Sequence, residues 1–298
     1  MPSDPRKSLR WSQQRRLEFI DARLCWDGRL NRADLCETFG ISIPQASVDI
    51  ARYSEQAPGN LQYDKASRSY HAGPKYRPAF EGTTAEQFLR QRLLDTAAPR
   101  LNHAKHPVHL PVVTMPLPTR AIALAVLRPL WRAIHERKGL RVVYQSLTKP
   151  DAQARTLSPH ALAHDGFRWH VRAYCHNRRD FRDFVIARIL KVEGTAPVGP
   201  GPTEDREWNT IVTLLLTPNP QLNQAHRRAI ELDYGMKKGK VGLHCRKAML
   251  FYALHHLRLD ETKATPEARQ VVLKNAEQIT RIMQRTAAAV AQPAVRRS

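Results

Sequence analysis

The stretch Arg168-Trp169-His170-Val171-Arg172-Ala173-Tyr174-Cys175-His176 has the two-residue period of a β-strand. One set of alternating side chains is apolar and suits a packed core: Trp169, Val171, Ala173 and Cys175. The other set is cationic or hydrogen-bonding: Arg168, His170, Arg172, Tyr174 and His176. Because a solvated strand face rarely needs so many such groups together, this face is predicted to bind an anion, with phosphate as the expected group.

Further strand-like runs surround this stretch, and turn-forming dipeptides separate them. They are Leu140–Ser146, Arg155–Ala163, Arg182–Arg188 and Leu190–Gly194. Five short strands in about 60 residues predict a small β-barrel. A helix over Ala125–Lys138 precedes the barrel, and a connector rich in Pro and His over Pro99–Pro118 precedes that helix.

The composition favours a polyanionic partner. The 298 residues have a formal net charge of +21, and each Lys or Arg that neutralises a phosphate releases counterions. A basic protein without such a partner remains the alternative. The four widely spaced cysteines, the absence of a signal peptide and the short apolar run Ala121–Leu127 predict a cytoplasmic protein that does not enter a membrane.

The N-terminal region predicts a winged helix-turn-helix. Helices over residues 10–26, 32–39 and 44–55 are followed by a hairpin of Leu61–Tyr63 and Ser69–His71. Gly40 suits the tight turn, and Ser42 can cap the following helix. Gly40-Ile41-Ser42, followed by Asp49-Ile50, resembles the pattern of bacterial repressors of this type.

The predicted DNA contacts are of two kinds. Gln45 can read adenine through paired hydrogen bonds, whereas Arg52, Lys65 and Arg68 suit phosphates, which position a protein without specifying sequence. The complete predicted set is Ser42, Ile43, Gln45, Ser47, Arg52, Lys65 and Arg68. Because the recognition helix has few basic residues, a dimer on a two-part operator is favoured.

Beyond a second linker at Pro197–Pro202, the pattern predicts a third, α+β domain. Its expected elements are a strand over 209–216, a helix over 221–234, a strand over 240–245, a helix over 247–257 and a long helix from Pro266 to Ala291. Glu204, Asp205 and Glu207 lie beside the linker and are interpreted as surface charge.

The central region resembles the WYL-domain family of bacterial transcription regulators. The residues that carry the resemblance are Tyr144-Gln145-Ser146, Arg155, Ser158-Pro159-His160, Leu162, Asp165-Gly166, Arg168 to Tyr174, and Phe181 to Ile189. The family's Trp-Tyr-Leu triplet stands here as Trp169-His170-Val171. With the N-terminal pattern and the segments Leu232–Met236 and Arg246–Leu254, the chain resembles the BrxR/CapW class, repressors of phage-defence operons.

That resemblance implies a homodimer, an Sm-like barrel and ligand-dependent release of DNA. The predicted fold is therefore α+β and multidomain, with a winged helix-turn-helix over 1–80, a connector over 81–138, a WYL domain over 139–197 and a dimerisation domain over 205–298. The anionic ligand is expected to be a nucleotide or nucleic-acid fragment. Its predicted contacts are Tyr144, Ser146, Arg155, His160, His170, Arg172, Tyr174 and Arg188. Trp169 is expected in the core.

No catalytic, cofactor or metal motif stands out. His103, His106 and His109 lie in the Pro-rich connector without nearby carboxylates or cysteines, so they are interpreted as linker residues. The favoured function is a non-enzymatic, dimeric repressor that binds an inverted-repeat DNA operator. The alternative is an accessory module that binds single-stranded nucleic acid and regulates a partner enzyme; a nuclease is the remote third option.

Overall fold

The computed structural model describes residues 5–80, 84–97, 112–115, 118, 120–261 and 264–291. The chain divides into two compact units, Met1–Pro118 and Thr119–Ser298. None of the helices in these described ranges is long and apolar enough to span a bilayer.

The first unit has three helices and a hairpin in the predicted order, followed by a fourth helix. Its helices are α1 (Pro5–Asp27), α2 (Arg32–Phe39), α3 (Ile43–Gln56) and α4 (Ala85–Ala97), and its strands are β1 (Arg29–Leu30), β2 (Leu61–Asp64) and β3 (Ser69–Ala72). The strands form an antiparallel sheet in the order β1-β3-β2. Gly40 ends α2 at a φ of 63°, in the left-handed region that favours glycine. The winged helix-turn-helix is confirmed.

The second unit begins with the helix and the five strands predicted for the central region. They are α5 (Leu124–Glu136), β4 (Gly139–Tyr144), β5 (Gln153–His164), β6 (Trp169–Cys175), β7 (Asp180–Val185) and β8 (Ile189–Ala196). The antiparallel sheet has the order β7-β6-β5-β4-β8, and a 3-10 turn at Ile186–Arg188 leads into β8. Residues of α5, including Val126 and Leu130, pack against the apolar face of this sheet.

The remainder of the second unit is a smaller α+β layer. Its elements are α6 (Arg206–Asn209), β9 (Ile211–Pro218), α7 (Gln224–Asp233), β10 (Val241–Arg246), α8 (Leu250–His256), β11 (Val271–Leu273) and α9 (Ala276–Ala291). The three strands form an antiparallel sheet in the order β10-β9-β11. Leu214, Leu250 and Ile279 belong to its core.

The predicted helix from Pro266 is wrong in its first part. Val271–Leu273 is a strand that pairs with β9, and the helix begins only at Ala276. Asn275 stabilises the change of direction, because its side chain accepts from the Leu215 backbone N–H at 3.0 Å and donates to the Thr213 carbonyl at 2.9 Å. Pairing with a distant strand therefore overrides the local helical pattern.

Candidate functional site

The N-terminal part of α3 presents exposed side chains beside its cap. Ser42 caps the helix by accepting from the Gln45 backbone N–H at 3.4 Å. Ile43 and Val48 are 63% and 57% exposed, so both side chains are accessible to a binding partner. Arg52 is also exposed. This surface has the apolar and polar mixture that a major groove accommodates.

A buried carboxylate fixes α3 against α1. Asp49 is fully buried and accepts from Arg16 Nε at 2.7 Å and from Gln13 Nε2 at 3.4 Å. Gln45 Nε2 donates to the same carboxylate at 3.3 Å. The amide predicted to read adenine is thus oriented from within the protein, and Ser47 is likewise engaged, donating to the Ile43 carbonyl at 3.1 Å.

The turn of the β2–β3 hairpin, the wing, displays two exposed cations. Asp64 orders the turn by accepting from the backbone N–H groups of Ala66 and Ser67 at 3.0 and 3.1 Å. The Ser67 hydroxyl and these N–H groups lower the pKa of Asp64. Lys65 and Arg68 are exposed and form no ion pair within the described residues. They are therefore available to phosphates.

Strand β6 is buried on both faces, although only its apolar face was predicted to pack in a core. Trp169, expected in the core, is 48% exposed, whereas His170 and Arg172, expected on an open face, are 2% and 3% exposed. The reason is that α6 and α8 cover this face, as the contacts of Asp205 and Tyr252 below show. His160, His170 and Arg172 are hereafter the cation cluster.

Arg172 is surrounded by carboxylates. Its Nε and Nη2 donate to Oδ2 and Oδ1 of Asp205 at 2.7 and 3.0 Å, a bidentate pair. Two further carboxylates are in contact with the guanidinium: Asp183 Oδ1 lies 3.3 Å from Nη1, and Glu207 Oε2 lies 3.3 Å from Nη2. His160 Nε2 lies 2.9 Å from Asp205 Oδ2. Asp205, interpreted from sequence as surface charge, is in fact 1% exposed.

The surroundings determine the charge of these carboxyl groups. Burial alone would raise the pKa of Asp205, but hydrogen bonds from His160 and Arg172 outweigh burial and hold that pKa well below its usual range. Burial raises the pKa of Asp183, against the opposing effect of Arg172. Burial alone would lower the pKa of Arg172, but the hydrogen bonds to Asp205 and the charges of the surrounding carboxylates raise it. Arg172 and Asp205 therefore form a charged pair.

His170 connects the sheet to α8. Its Nε2 lies 2.9 Å from Asp165 Oδ2, and its ring centroid is 4.9 Å from that of Tyr252. Burial opposes ionisation of Asp165, but hydrogen bonds from His170 and from the backbone N–H groups of Phe167 and Arg168 lower its pKa to about 2. The cation cluster thus joins the central sheet to the C-terminal layer.

The other predicted ligand contacts do not converge on one face. Tyr144 and Arg155 share the apolar face, since Arg155 pairs with Val142 and Tyr144 belongs to the core cluster. Arg172 lies on the opposite face of the sheet, together with His170 and Tyr174, which are two residues away from it on β6. Ser146, Tyr174 and Arg188 are partly exposed. Strand alternation, applied across paired strands, separates a set that was predicted to act together.

Sequence reasoning missed the acidic partners of the cation cluster. They are Asp165, Asp183, Asp205 and Glu207. One signal was present: Asp205 accepts from the Trp208 backbone N–H at 3.0 Å, the geometry of a helix cap, which the Asp-x-x-Trp spacing permits. His103, His106 and His109 lie outside the described residues.

Family models match the chain in three places. They are a BrxR transcriptional regulator winged helix-turn-helix domain over residues 12–93, a WYL domain over 125–193, and a BrxR transcriptional regulator C-terminal dimerization domain over 211–279. Together with the fold, these matches define the class as winged helix-turn-helix transcription regulators with a WYL domain.

Three relatives are known as DNA-binding transcriptional repressor CapW. That of Escherichia coli (strain KTE188) is 41% identical over 92% of this chain and 93% of its own length. That of Pseudomonas aeruginosa is 42% identical over 95% of both chains, and that of Stenotrophomonas maltophilia 43% identical over 95% of this chain and 96% of its own. The chain belongs to the CapW family of transcriptional repressors.

Proposed function

We propose that this protein is a homodimeric repressor that binds an inverted-repeat DNA operator. The observations that carry the proposal are the exposed N-terminal surface of α3 and the wing cations Lys65 and Arg68, which form no ion pair within the described residues. A match to a dimerization domain supports two copies, and two-fold symmetry of the protein corresponds to two half-sites in the operator. We further propose that the protein acts in the cytoplasm, where a bacterial operator would be accessible to it.

A gel-shift titration with the DNA upstream of the protein's own gene tests this function. We expect at least a thousandfold preference over a random-sequence competitor, since about 10³ is the lower end of the range for specific binding. Equal affinity for both fragments would contradict the proposal. Preference for single-stranded DNA would favour the accessory nucleic-acid module instead.

The proposal extends to an anionic ligand that alters DNA binding. Asp205 lies in the segment that leads from the central sheet to the C-terminal layer, and its carboxylate is bound by Arg172 and His160. A phosphate that competes with this carboxylate would loosen the attachment between the two layers. A ligand that prefers the loosened state by about 2.7 kcal/mol would weaken DNA binding roughly a hundredfold.

Asp205→Asn tests this competition. Asparagine can still cap α6 and accept from Arg172, but it lacks the competing charge. We expect a short single-stranded oligonucleotide to release operator from the variant at concentrations about tenfold lower than from the unchanged protein. Equal release curves, or no release from either protein, would contradict ligand competition at the cation cluster while leaving operator binding intact.

The regulated genes are proposed from the family resemblance. Repressors of the BrxR/CapW class act on phage-defence operons, and the full-length similarity to CapW repressors supports the same target here. Transcript levels of neighbouring genes after deletion of this repressor test the proposal. A rise confined to unrelated genes would contradict it.

A further inference from the structure

A groove lies beside the cation cluster, under the segment that follows β8. Its volume is about 300 Å³, within the lower range of small-ligand sites. It lies between the end of α5, the middle of β5 and residues 198–203. Its lining consists of Ile134, Arg137, Ser158, Pro159, His160, Val198, Gly199, Pro200, Gly201, Pro202 and Thr203. We call it the linker groove.

The lining combines apolar walls with an exposed guanidinium and a nearly buried imidazole. Arg137, at the end of α5, is exposed and forms no ion pair within the described residues. His160 has a side chain only 4% exposed, and its Nδ1 has no hydrogen-bond partner in the described part of the chain. Such a buried polar atom calls for a partner. Proline rings and Ile134 provide flat apolar surface.

We infer that the linker groove binds a nucleoside monophosphate group, with the phosphate at Arg137 and the base against the proline-rich wall. Planar guanidinium groups bind phosphate through paired hydrogen bonds, and apolar walls suit the faces of a base. The inference rests on the proposed anion sensing and specifies where the ligand binds. None of its residues except His160 belongs to the set predicted from sequence.

The groove is connected to the Arg172–Asp205 pair through two routes. His160 lines the groove and lies 2.9 Å from Asp205 through its other ring nitrogen, Nε2. Pro202–Glu204, part of which also lines the groove, forms the 3-10 turn directly before Asp205. A ligand that displaces either would therefore change the position of Asp205, and with it the contact between the central sheet and the C-terminal layer.

Calorimetric titration of the full chain with adenosine monophosphate tests the site. Arg137 has a φ of 52°, so Arg137→Asn removes the charge at a backbone conformation that asparagine tolerates. Lys238→Asn is a matched control, because Lys238 has a φ of 53°, is exposed and lies outside the groove. We expect Arg137→Asn to weaken binding at least tenfold and Lys238→Asn to leave it unchanged.

A second pair of variants tests the wall of the groove rather than its cation. Val198→Glu places a negative charge in the lining, whereas Leu190→Glu places one on an equally exposed position of β8. Only the first should weaken binding. A parallel titration with a 5′-phosphorylated tetranucleotide distinguishes a free nucleotide from the end of a strand, and dependence on Arg137 in either titration supports the site.

Two outcomes would overturn the inference. One is that neither probe binds the unchanged protein; the other is that Arg137→Asn binds as tightly as Lys238→Asn. The operator-release experiment with Asp205→Asn is independent of Arg137. Release there, combined with either of these outcomes, would place the ligand elsewhere on the sheet and leave the proposed repressor function standing.

Discussion

The wing and strand β6 contain similar cationic residues in opposite surroundings. Lys65 and Arg68 are exposed and form no ion pair within the described residues. Asp64 stabilises the turn that carries them, but it does not bind their charged groups. His170 and Arg172 are almost completely buried, and each is bound to a carboxylate. The first pair is available for a polyanion from outside. The second already neutralises carboxylates of the same chain.

The comparison shows that cationic residues on a strand face indicate an anion but not its source. For Arg172 the anion is Asp205, 33 residues further along the chain. A ligand that used the cation cluster would therefore have to compete with an internal carboxylate, whereas DNA at the wing would compete only with water and salt. This difference agrees with the proposal of a stable DNA-binding surface and a separate site that responds to a ligand.

The largest expected effect separates the two regions by stability. Arg172→Ala leaves buried Asp205 without its bidentate partner, so we expect the second unit to lose about 3–5 kcal/mol of unfolding free energy. Arg52→Ala, on the exposed face of α3, should change stability by less than about 0.5 kcal/mol. Calorimetric unfolding of the full chain measures both. Comparable losses of unfolding free energy in the two variants would contradict the difference between the buried and the exposed arginine.

Acid should destabilise the buried region around His170. The pKa of Asp165 is lowered to about 2, so its stabilising contribution is complete above the unfolded-state pKa near 4 and is lost as the pH falls from about 4 to 2. The loss is about 2 kcal/mol for this group. Asp183, whose pKa is raised, acts in the opposite direction.

Unfolding of the full chain at a series of pH values measures this acid loss. Asp165→Asn is the matched variant, because it removes the titrating group while retaining an acceptor for His170. Its stability should vary less between pH 4 and 2 than that of the unchanged protein. Identical pH profiles would show that this carboxyl group does not link stability to protonation.

Replacement of Gln45 sharpens the assignment of the recognition helix. Gln45→Ala should remove about 1–3 kcal/mol of preference for the operator over random DNA. Stability should remain nearly unchanged, since Arg16 and Gln13 still bind Asp49. Gln56→Ala, at the other end of α3, is the control. Gel shifts measure the affinity of each variant for operator and for random DNA. If Gln45→Ala keeps the same ratio of the two affinities as Gln56→Ala, Gln45 does not read a base.

The wing cations should contribute to affinity without sequence preference. Lys65→Ala and Arg68→Asn should each lower the slope of log affinity against log salt concentration by about 1. Asparagine is chosen because Arg68 has a φ of 51°. Lys149→Ala, an exposed site in the second unit, should leave the slope unchanged. A slope unaffected by the wing variants would exclude phosphate contacts there.

The smallest expected effect concerns the exposed tryptophan of β6. Trp169 packs on His164 with ring centroids 4.8 Å apart, yet it is 48% exposed. Trp169→Ala should cost about 1 kcal/mol, against about 2–5 kcal/mol for Leu157→Ala in the core. Urea unfolding measures the difference. A loss of more than about 3 kcal/mol for Trp169→Ala would indicate that this side chain is buried in the core, as the sequence predicted.

Local patterns were sufficient to predict most elements of this fold. Gly40 and Ser42 predict the turn and cap of the recognition helix because left-handed geometry and capping depend on neighbouring residues. The alternation through β6 likewise predicts a strand. The exposure of the predicted DNA contacts on α3 and the wing follows from local structure, because no distant segment covers them within the described residues.

By itself, the sequence determined most of the helices and strands and the cationic composition of one side of β6. Only the tertiary structure decided that this side is interior. Asp205 and Tyr252, which cover it, belong to distant segments, and the alternation of residues within β6 carries no information about them. It also decided that Val271–Leu273 is a strand, through pairing with β9. Periodicity depends on bonds between neighbours, whereas burial depends on which distant residues bring compensating charge and shape.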